Sequence, residues 1–255
     1  VTPVVKKDPR HVPLAEKKRL MDEYNDIVLS TPRVQSSTII YGDAYKKVTF
    51  ANSEGSFIDQ TRLDVIMNVR ALARKDGDVQ QSGFSIGRLG DYAMAEGLHD
   101  EVRAAAVRAG ELLDAPTVKG GEYTVVLDPI LAGVFCHEAF GHLSESDFIY
   151  ENPQMQEVMV LGRQFGQKHL NITDGAARPE LRGSFGYDDE GTPAHRTDLI
   201  REGVLVGRLH SRETAAKLGE QPTGNARAID YRFPPIVRMT NTIIEPGDMS
   251  FEEMI

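Results

Sequence analysis

Apolar positions along this chain change period several times, and each change marks an element. After a charged, proline-containing stretch over 1–12, Pro13 opens a run in which Leu14, Leu20, Met21, Tyr24, Ile27 and Val28 recur near helical spacing. From about Val34 to Arg74 the pattern becomes β-like. The runs 37–41 and 47–51 flank a turn signal at Gly42-Asp43, Asn52 to Gly55 signals a second turn, and Leu63 to Val69 partly alternates. This predicts an antiparallel meander, with Asp76-Gly77 as a further turn. Gln80 to Gly97 carries Gly83, Gly87, Gly90 and Gly97 but matches neither phosphate-binding glycine motif, so it reads as a surface loop. Asp100 to Leu113 predicts a helix burying Val102, Ala106, Ala109 and Leu113, stopped by Pro116.

The second half alternates short elements. Glu122 to Leu127 predicts a strand, and Asp128-Pro129 is a helix start with a capping carboxylate and a first-turn proline. Ile130, Leu131, Ala132, Val134 and Phe135 make that helix apolar nearly all round, which predicts burial. Residues 154–168 read as a helix or long loop, 170–173 as a short strand, and 183–196 as a polar, glycine-rich loop. The runs 197–201 and 204–209 around Glu202-Gly203 predict a hairpin, 211–219 a helix closed by Gly219, and 235–242 an extended segment. The fold class is α/β of the α+β kind: an antiparallel or mixed sheet with packed helices. Two regions are expected, 1–116 and 117–255, the second carrying a metal-binding motif on its buried helix.

Composition narrows the function classes. The chain has 255 residues, 40% of them apolar, enough for a real core. Its formal net charge of −9 argues against nucleic-acid backbone binding. The single cysteine, Cys136, permits no internal disulfide and suits a reducing compartment. No apolar run approaches the roughly 20 residues of a membrane span, and no signal peptide is visible in the sequence, so a cytoplasmic location is expected. With Val1 in place of methionine and a helix-like opening at 251–255, the chain is expected to be an internal fragment.

The chemistry concentrates at 137–142, which reads H-E-x-x-x-H. Two imidazoles and a carboxylate supply two metal ligands and a general base. In the common H-E-x-x-H the histidines sit about 40° apart around the helix; five residues apart, they sit about 140° apart in a regular α-helix. His137 and His142 can share one metal only if the helix carries a π-type turn, which Gly141 would ease. Glu138 would then be the base on a zinc-activated water. Glu145 and Asp147 follow within reach as further ligands or supporting groups. Cys136 points elsewhere and reads as a small core residue. The carboxylates Asp188, Asp189 and Glu190 read as a solvated turn when taken alone. His169, His195 and His210 have no role, and His11 and His99 are expected to be exposed.

The run 137–147, His-Glu-Ala-Phe-Gly-His-Leu-Ser-Glu-Ser-Asp, resembles the HEAxGHxxExD signature of the TldD/PmbA family, once called modulators of DNA gyrase. Tyr187 to Pro193, Leu199 to Leu209, Pro222 to Arg227 and Arg238 to Thr242 are similar to family segments in the same order. The resemblance is specific from about Gly121 onward and looser before it. It implies a zinc metallopeptidase acting on unfolded or extended peptides, paired with a PmbA/TldE-type subunit as a heterodimer, or with itself. It implies His137 and His142 as zinc ligands and Glu138 as the base. The family's third ligand is a cysteine in a glycine-rich C-terminal segment that this sequence does not contain, so the site is expected to be completed from outside it. The family holds its peptide as an added strand. Candidate supporting or cradle residues are Glu145, Asp147, Asp188, Asp189, Asn225 and Arg227, within the segments 183–196 and 222–242.

Two rivals remain at this stage. One is a non-enzymatic protein that modulates gyrase or a toxin–antitoxin system by binding. The other is a purely structural zinc site, which would need a fourth protein ligand and no open position.

Overall fold

The computed structural model describes residues 5–254. They form two compact units that interleave in sequence: one runs up to Lys46 and resumes over Thr61–Glu122, and the other joins Lys47–Gln60 to the chain from Tyr123 onward.

The first unit is a helix-covered antiparallel sheet. Helix α1 (Leu14–Leu29) precedes strands β1 (Val34–Ala51), β2 (Phe57–Lys75) and β3 (Asp78–Leu89), ordered β1-β2-β3, followed by α2 (His99–Leu112). Alternation in β2 sends Val65, Met67, Val69, Ala71 and Ala73 to one buried face. Most of these pack with Leu20, Tyr24 and Val28 of α1 and with Val102, Ala106 and Ala109 of α2. The buried Tyr24 hydroxyl donates to Ala95 O at 2.7 Å and accepts from Leu98 N at 3.1 Å, so its burial costs no unpaired polar atom. Asp76 and Gly77 take positive φ (49° and 91°), the backbone of a two-residue primed hairpin turn between β2 and β3.

Two expectations fail here, both at glycines. Gly42-Asp43 is no turn, because β1 runs unbroken through it with Gly42 tucked against Ile66 of β2. The glycine-rich stretch is largely strand rather than loop. Gly83 pairs with Arg70, and a Cβ there would collide with the Val69 carbonyl oxygen. Glycine in this strand marks close backbone approach; only Gly90 and Gly97, at φ 84° and 76°, act as breakers.

The second unit holds the candidate site. After α3 (Pro129–Cys136) come a distorted turn over 137–144, α4 (Ser146–Glu151) and α5 (Pro153–Val158). Strands β4 (Ile172–Gly175), β5 (Arg196–Arg201), β6 (Val204–Leu205) and β9 (Ile243–Ile244) form an antiparallel sheet ordered β6-β5-β4-β9. Strands β7 (Ala226–Arg227) and β8 (Ile236–Val237) pair separately. Glu202 and Gly203 (φ 48° and 80°) make the predicted hairpin turn. Helix α6 (Arg212–Leu218) starts at a Ser211/Thr214 capping box and ends at a left-handed Gly219. The final helix is α7 (Phe251–Met254). The β1–β2 hairpin tip belongs with this unit for visible reasons. Gln60 donates to Tyr187 O at 2.9 Å and accepts from Tyr187 N at 3.2 Å, while Phe50 and Ile58 close over Gly191.

The core of this unit joins Cys136, Phe140, Ile149, Met159, Ile172, Leu199, Leu205, Leu209, Val237 and Met239. It does not include most of α3. Ile130, Leu131, Val134 and Phe135 are exposed, and only Cys136 of this helix is buried. The expected burial on all sides is therefore not realised among the described residues. Residues 122–127 form no strand, and Tyr123, Val125 and Val126 are likewise exposed. Apolar periodicity states what a segment would bury; the covering element has to come from elsewhere in the fold. No described helix is long and apolar enough to cross a membrane.

Candidate metal centre

Helix α3 begins as its sequence directs. Asp128 accepts from Ile130 N at 2.9 Å and Leu131 N at 3.1 Å, and Pro129 occupies the first turn, where no donor is needed. The regular helix ends at Cys136. Over His137–Gly141 the backbone widens to a π turn, with His142 N–H bonded to His137 O. That i→i+5 closure rotates the second histidine back toward the first. The two rings lie 4.7 Å apart, edge to face at 80°. One ligand atom each from His137, Glu138 and His142 fall within 4.8 Å of one another, on an exposed to half-buried face. Around a tetrahedral zinc, donor atoms about 2 Å from the metal lie roughly 3.3 Å apart. Two imidazoles at this spread, with a carboxylate beside them to act on a bound water, suit a divalent metal of the zinc type.

Gly141 earns its place for a different reason from the one its position suggests. Its φ and ψ (−57°, −50°) are ordinary helical values, so no conformational freedom is needed. A Cβ there would instead meet the Met239 sulfur. The glycine lets the 236–239 segment lie directly against the turn.

That segment is tied down by the two acids that follow the motif. The wholly buried Glu145 accepts from Arg238 Nη1 at 2.8 Å and Met239 N at 3.2 Å, and its Oε2 lies 3.3 Å from His142 Nδ1. Asp147 accepts from Val237 N at 2.6 Å. Neither joins the cluster of metal-competent atoms, although sequence spacing allowed both to reach it. The remaining candidates lie in the same unit with their polar groups engaged. Asp188 accepts from Glu190 N, Thr192 N and Ala226 N at 2.8–3.0 Å. Burial pushes its carboxyl upward against the pull of these three amides. Asp189 accepts from Ala228 N at 2.9 Å. Together these two acids bind the 186–194 loop to β7. Asn225 is buried and donates to Asp174 at 2.9 Å and to Arg238 O at 3.0 Å. Arg227 is exposed in β7, opposite Ile236. Cys136 is buried in the core, where desolvation raises its thiol, and it is not among the clustered metal-competent atoms.

Several organising residues carry no motif of their own. Asp174, almost fully buried, accepts from Thr240 N, Thr240 Oγ1 and Thr242 Oγ1 as well as Asn225. His210, expected to stand alone, is buried between Thr214 at 3.2 Å and Glu220 at 3.1 Å. The available signal was a set of polar residues, Arg238, Thr240, Asn241 and Thr242, in an otherwise extended stretch; partners of Arg238 and Thr240 lie about 70 to 90 positions away, as the Asp174 and Glu145 bonds show.

Comparison with known proteins agrees with this architecture. Residues 120–255 match the family model of the PmbA/TldA metallopeptidase C-terminal domain, and residues 7–113 match that of the central domain. A metalloprotease of Synechocystis sp. is 51% identical over 97% of this chain and 54% of its own length. A zinc metalloprotease TldD homolog of Saccharolobus solfataricus is 32% identical over 88% of this chain and 50% of its own. The chain thus spans about half the length of the curated relatives it matches. Among solved structures, a proposed modulator of a DNA gyrase from Thermotoga maritima aligns with a TM-score of 0.83 at 23% identity, covering all of this chain and 56% of that one. TldE from Thermococcus kodakarensis aligns at 0.68 and 17%, covering all of this chain and 59% of its own. These structural likenesses speak for the fold. Two family models that between them cover most of the residues, together with a histidine pair converging on a π turn, place the sequence: the chain belongs to the TldD/PmbA family of metallopeptidases.

Proposed function

We propose that this chain is the metal-bearing part of a zinc-dependent peptidase that cleaves unfolded or extended peptides. The observation that carries the reading is the convergence of His137, Glu138 and His142 donor atoms within 4.8 Å on an open face. His137 and His142 would hold the ion. When bound, zinc would polarise the scissile carbonyl and bring the pKa of a coordinated water to about 7. Glu138 takes a proton from the attacking water as its oxygen bonds to the amide carbon. It returns that proton to the departing amine as the carbon–nitrogen bond breaks. Two imidazoles are one donor short of the three protein ligands typical of catalytic zinc. The third is assigned to the part of the longer polypeptide that this sequence does not include, in keeping with the cysteine the family resemblance implies.

The extended segments 183–196 and 222–242 are the proposed peptide cradle, recognising main chain by strand addition. Asp188 and Asp189 support that role indirectly by fastening the 186–194 loop to β7. A TldE-type subunit is the proposed partner, with a homodimer as the simpler assembly. A single cysteine suits a cytoplasmic setting.

The decisive variant is Glu138→Gln in the full-length protein, alone and with its partner subunit. Cleavage of an unstructured peptide should be lost while zinc content by metal analysis stays that of the wild type. Turnover that persists in this variant, or that survives complete removal of metal by a chelator, would refute the reading and leave a binding protein. Removal of the 183–196 loop should lower peptide cleavage; unchanged cleavage would refute the cradle.

A further inference from the structure

We infer that Glu145 is a positioning residue that holds the His142 ring in its metal-ready tautomer and couples that ring to the 236–239 segment. This inference rests on the zinc-site reading and deepens it. The side chain of Glu145 is 1% exposed, and that of His142 is 41% exposed. Such a buried carboxylate keeps its charge only if its oxygens are filled by donors. Oε1 takes Met239 N at 3.2 Å, and Oε2 takes Arg238 Nη1 at 2.8 Å. A carboxylate filled this way is an acceptor, so the contact from His142 Nδ1 at 3.3 Å requires the hydrogen on Nδ1. In the neutral ring Nε2 then keeps the lone pair that a metal requires. Carboxylates commonly orient metal-binding histidines in this manner.

The neighbouring backbone fixes Glu145 in turn. Ser146 N donates to Leu209 O at 3.1 Å and Leu209 N to Ser144 O at 2.8 Å, pinning both sides of Glu145 to the chain after β6. Asp147 performs a related but separable task, since it anchors Val237 N and, among the described residues, hydrogen-bonds to neither histidine. The two acids of the signature therefore divide the work. One anchors the segment, and the other anchors the segment and aims a ring.

Glu145→Gln separates these roles. Its amide keeps one acceptor for Met239 but presents its NH2 group where Arg238 and His142 now donate. His142 can remain bonded only by accepting at Nδ1, which moves the hydrogen to Nε2 and blocks the donor atom. The test uses the full-length protein with 15N-labelled histidine, metal-free, with the His142 signals assigned from a His142→Gln variant. The wild type should show the Nδ1–H tautomer and Glu145→Gln the Nε2–H tautomer, and zinc affinity by chelator competition should fall about 10- to 100-fold. Asp147→Asn, the control for segment anchoring, should leave the tautomer unchanged. A wild-type His142 carrying its hydrogen on Nε2 overturns the inference without any variant, so the test survives if Glu145→Gln fails to fold. An unchanged tautomer and unchanged zinc affinity in folded Glu145→Gln also overturn it. Failure of the zinc reading is distinguishable: the wild type would then bind no zinc, whereas the tautomer is read in its absence.

Discussion

Replacing Gly141 with alanine probes the packing that brings the motif and the 236–239 segment together. The backbone at Gly141 is already helical, so intrinsic propensity alone favours alanine by about 1 kcal/mol. The opposing term is steric. The new methyl would land on the Met239 sulfur, with Met239 Cε at 3.3 Å and Cys136 O at 3.6 Å behind it. Met239 is buried, and its backbone amide is held by Glu145, so the segment cannot withdraw without losing that bond. Overpacking of this kind costs about 1–3 kcal/mol, and a flexible methionine side chain places the cost below the top of that range. After the propensity gain is subtracted, the expected net effect is a destabilisation of up to about 2 kcal/mol by urea unfolding, with an unchanged dependence on denaturant. The discriminating experiment is a double-mutant cycle with Met239→Val, which ends at its γ carbons and removes the sulfur. In that background Gly141→Ala should become neutral or stabilising by up to about 1 kcal/mol. An equal cost in both backgrounds would refute the contact as the cause. A stabilising Gly141→Ala in the wild type would refute the steric argument altogether.

Other outcomes follow from the same unit. Desolvation pushes Glu220 upward, but hydrogen bonds from His210 and Arg208 outweigh it and leave its carboxyl below the ordinary range. A lowered native pKa means the unfolded chain binds the proton more readily, so this group's contribution to stability is present above the unfolded carboxyl pKa and lost as pH falls through the native one. The stability gap between wild type and Glu220→Gln should therefore narrow as pH falls below about 5 in a series of denaturation curves; a gap that widens on acidification would contradict the assignment. Ser211→Ala removes the side-chain acceptor for Thr214 N at 3.2 Å and should cost about 0.5–2 kcal/mol in thermal or urea unfolding, whereas no loss would mean the capping box contributes nothing.

Local order was legible in the sequence wherever one segment decides its own structure. The Asp128-Pro129 helix start, the Asp76-Gly77 and Glu202-Gly203 turns and the Gly219 stop all lie where their residue types direct, because each depends on φ preference or a bond reaching only a few positions. The five-residue histidine spacing required a π turn for convergence, and 137–141 adopt one. Here helix geometry alone restricts the choices. Close approach between distant segments was not legible. Gly42 and Gly83 looked like breakers but serve close packing inside strands, against the Ile66 side chain and the Val69 carbonyl respectively, and Gly141 looked like a source of flexibility but makes room for Met239. A glycine's missing side chain is visible in the sequence, while the atom that needs the space is not. The same holds for charge. Glu145, Asp147, Asp174 and Asp188 are ordinary acids until folding brings Arg238, Met239, Val237, Thr240 and Ala226 to them, and only then does each become a fixed acceptor holding one segment to another. The exposed apolar surface of α3 has the same origin: sequence dictates how much apolar surface a helix has to bury, and tertiary structure alone decides what meets it.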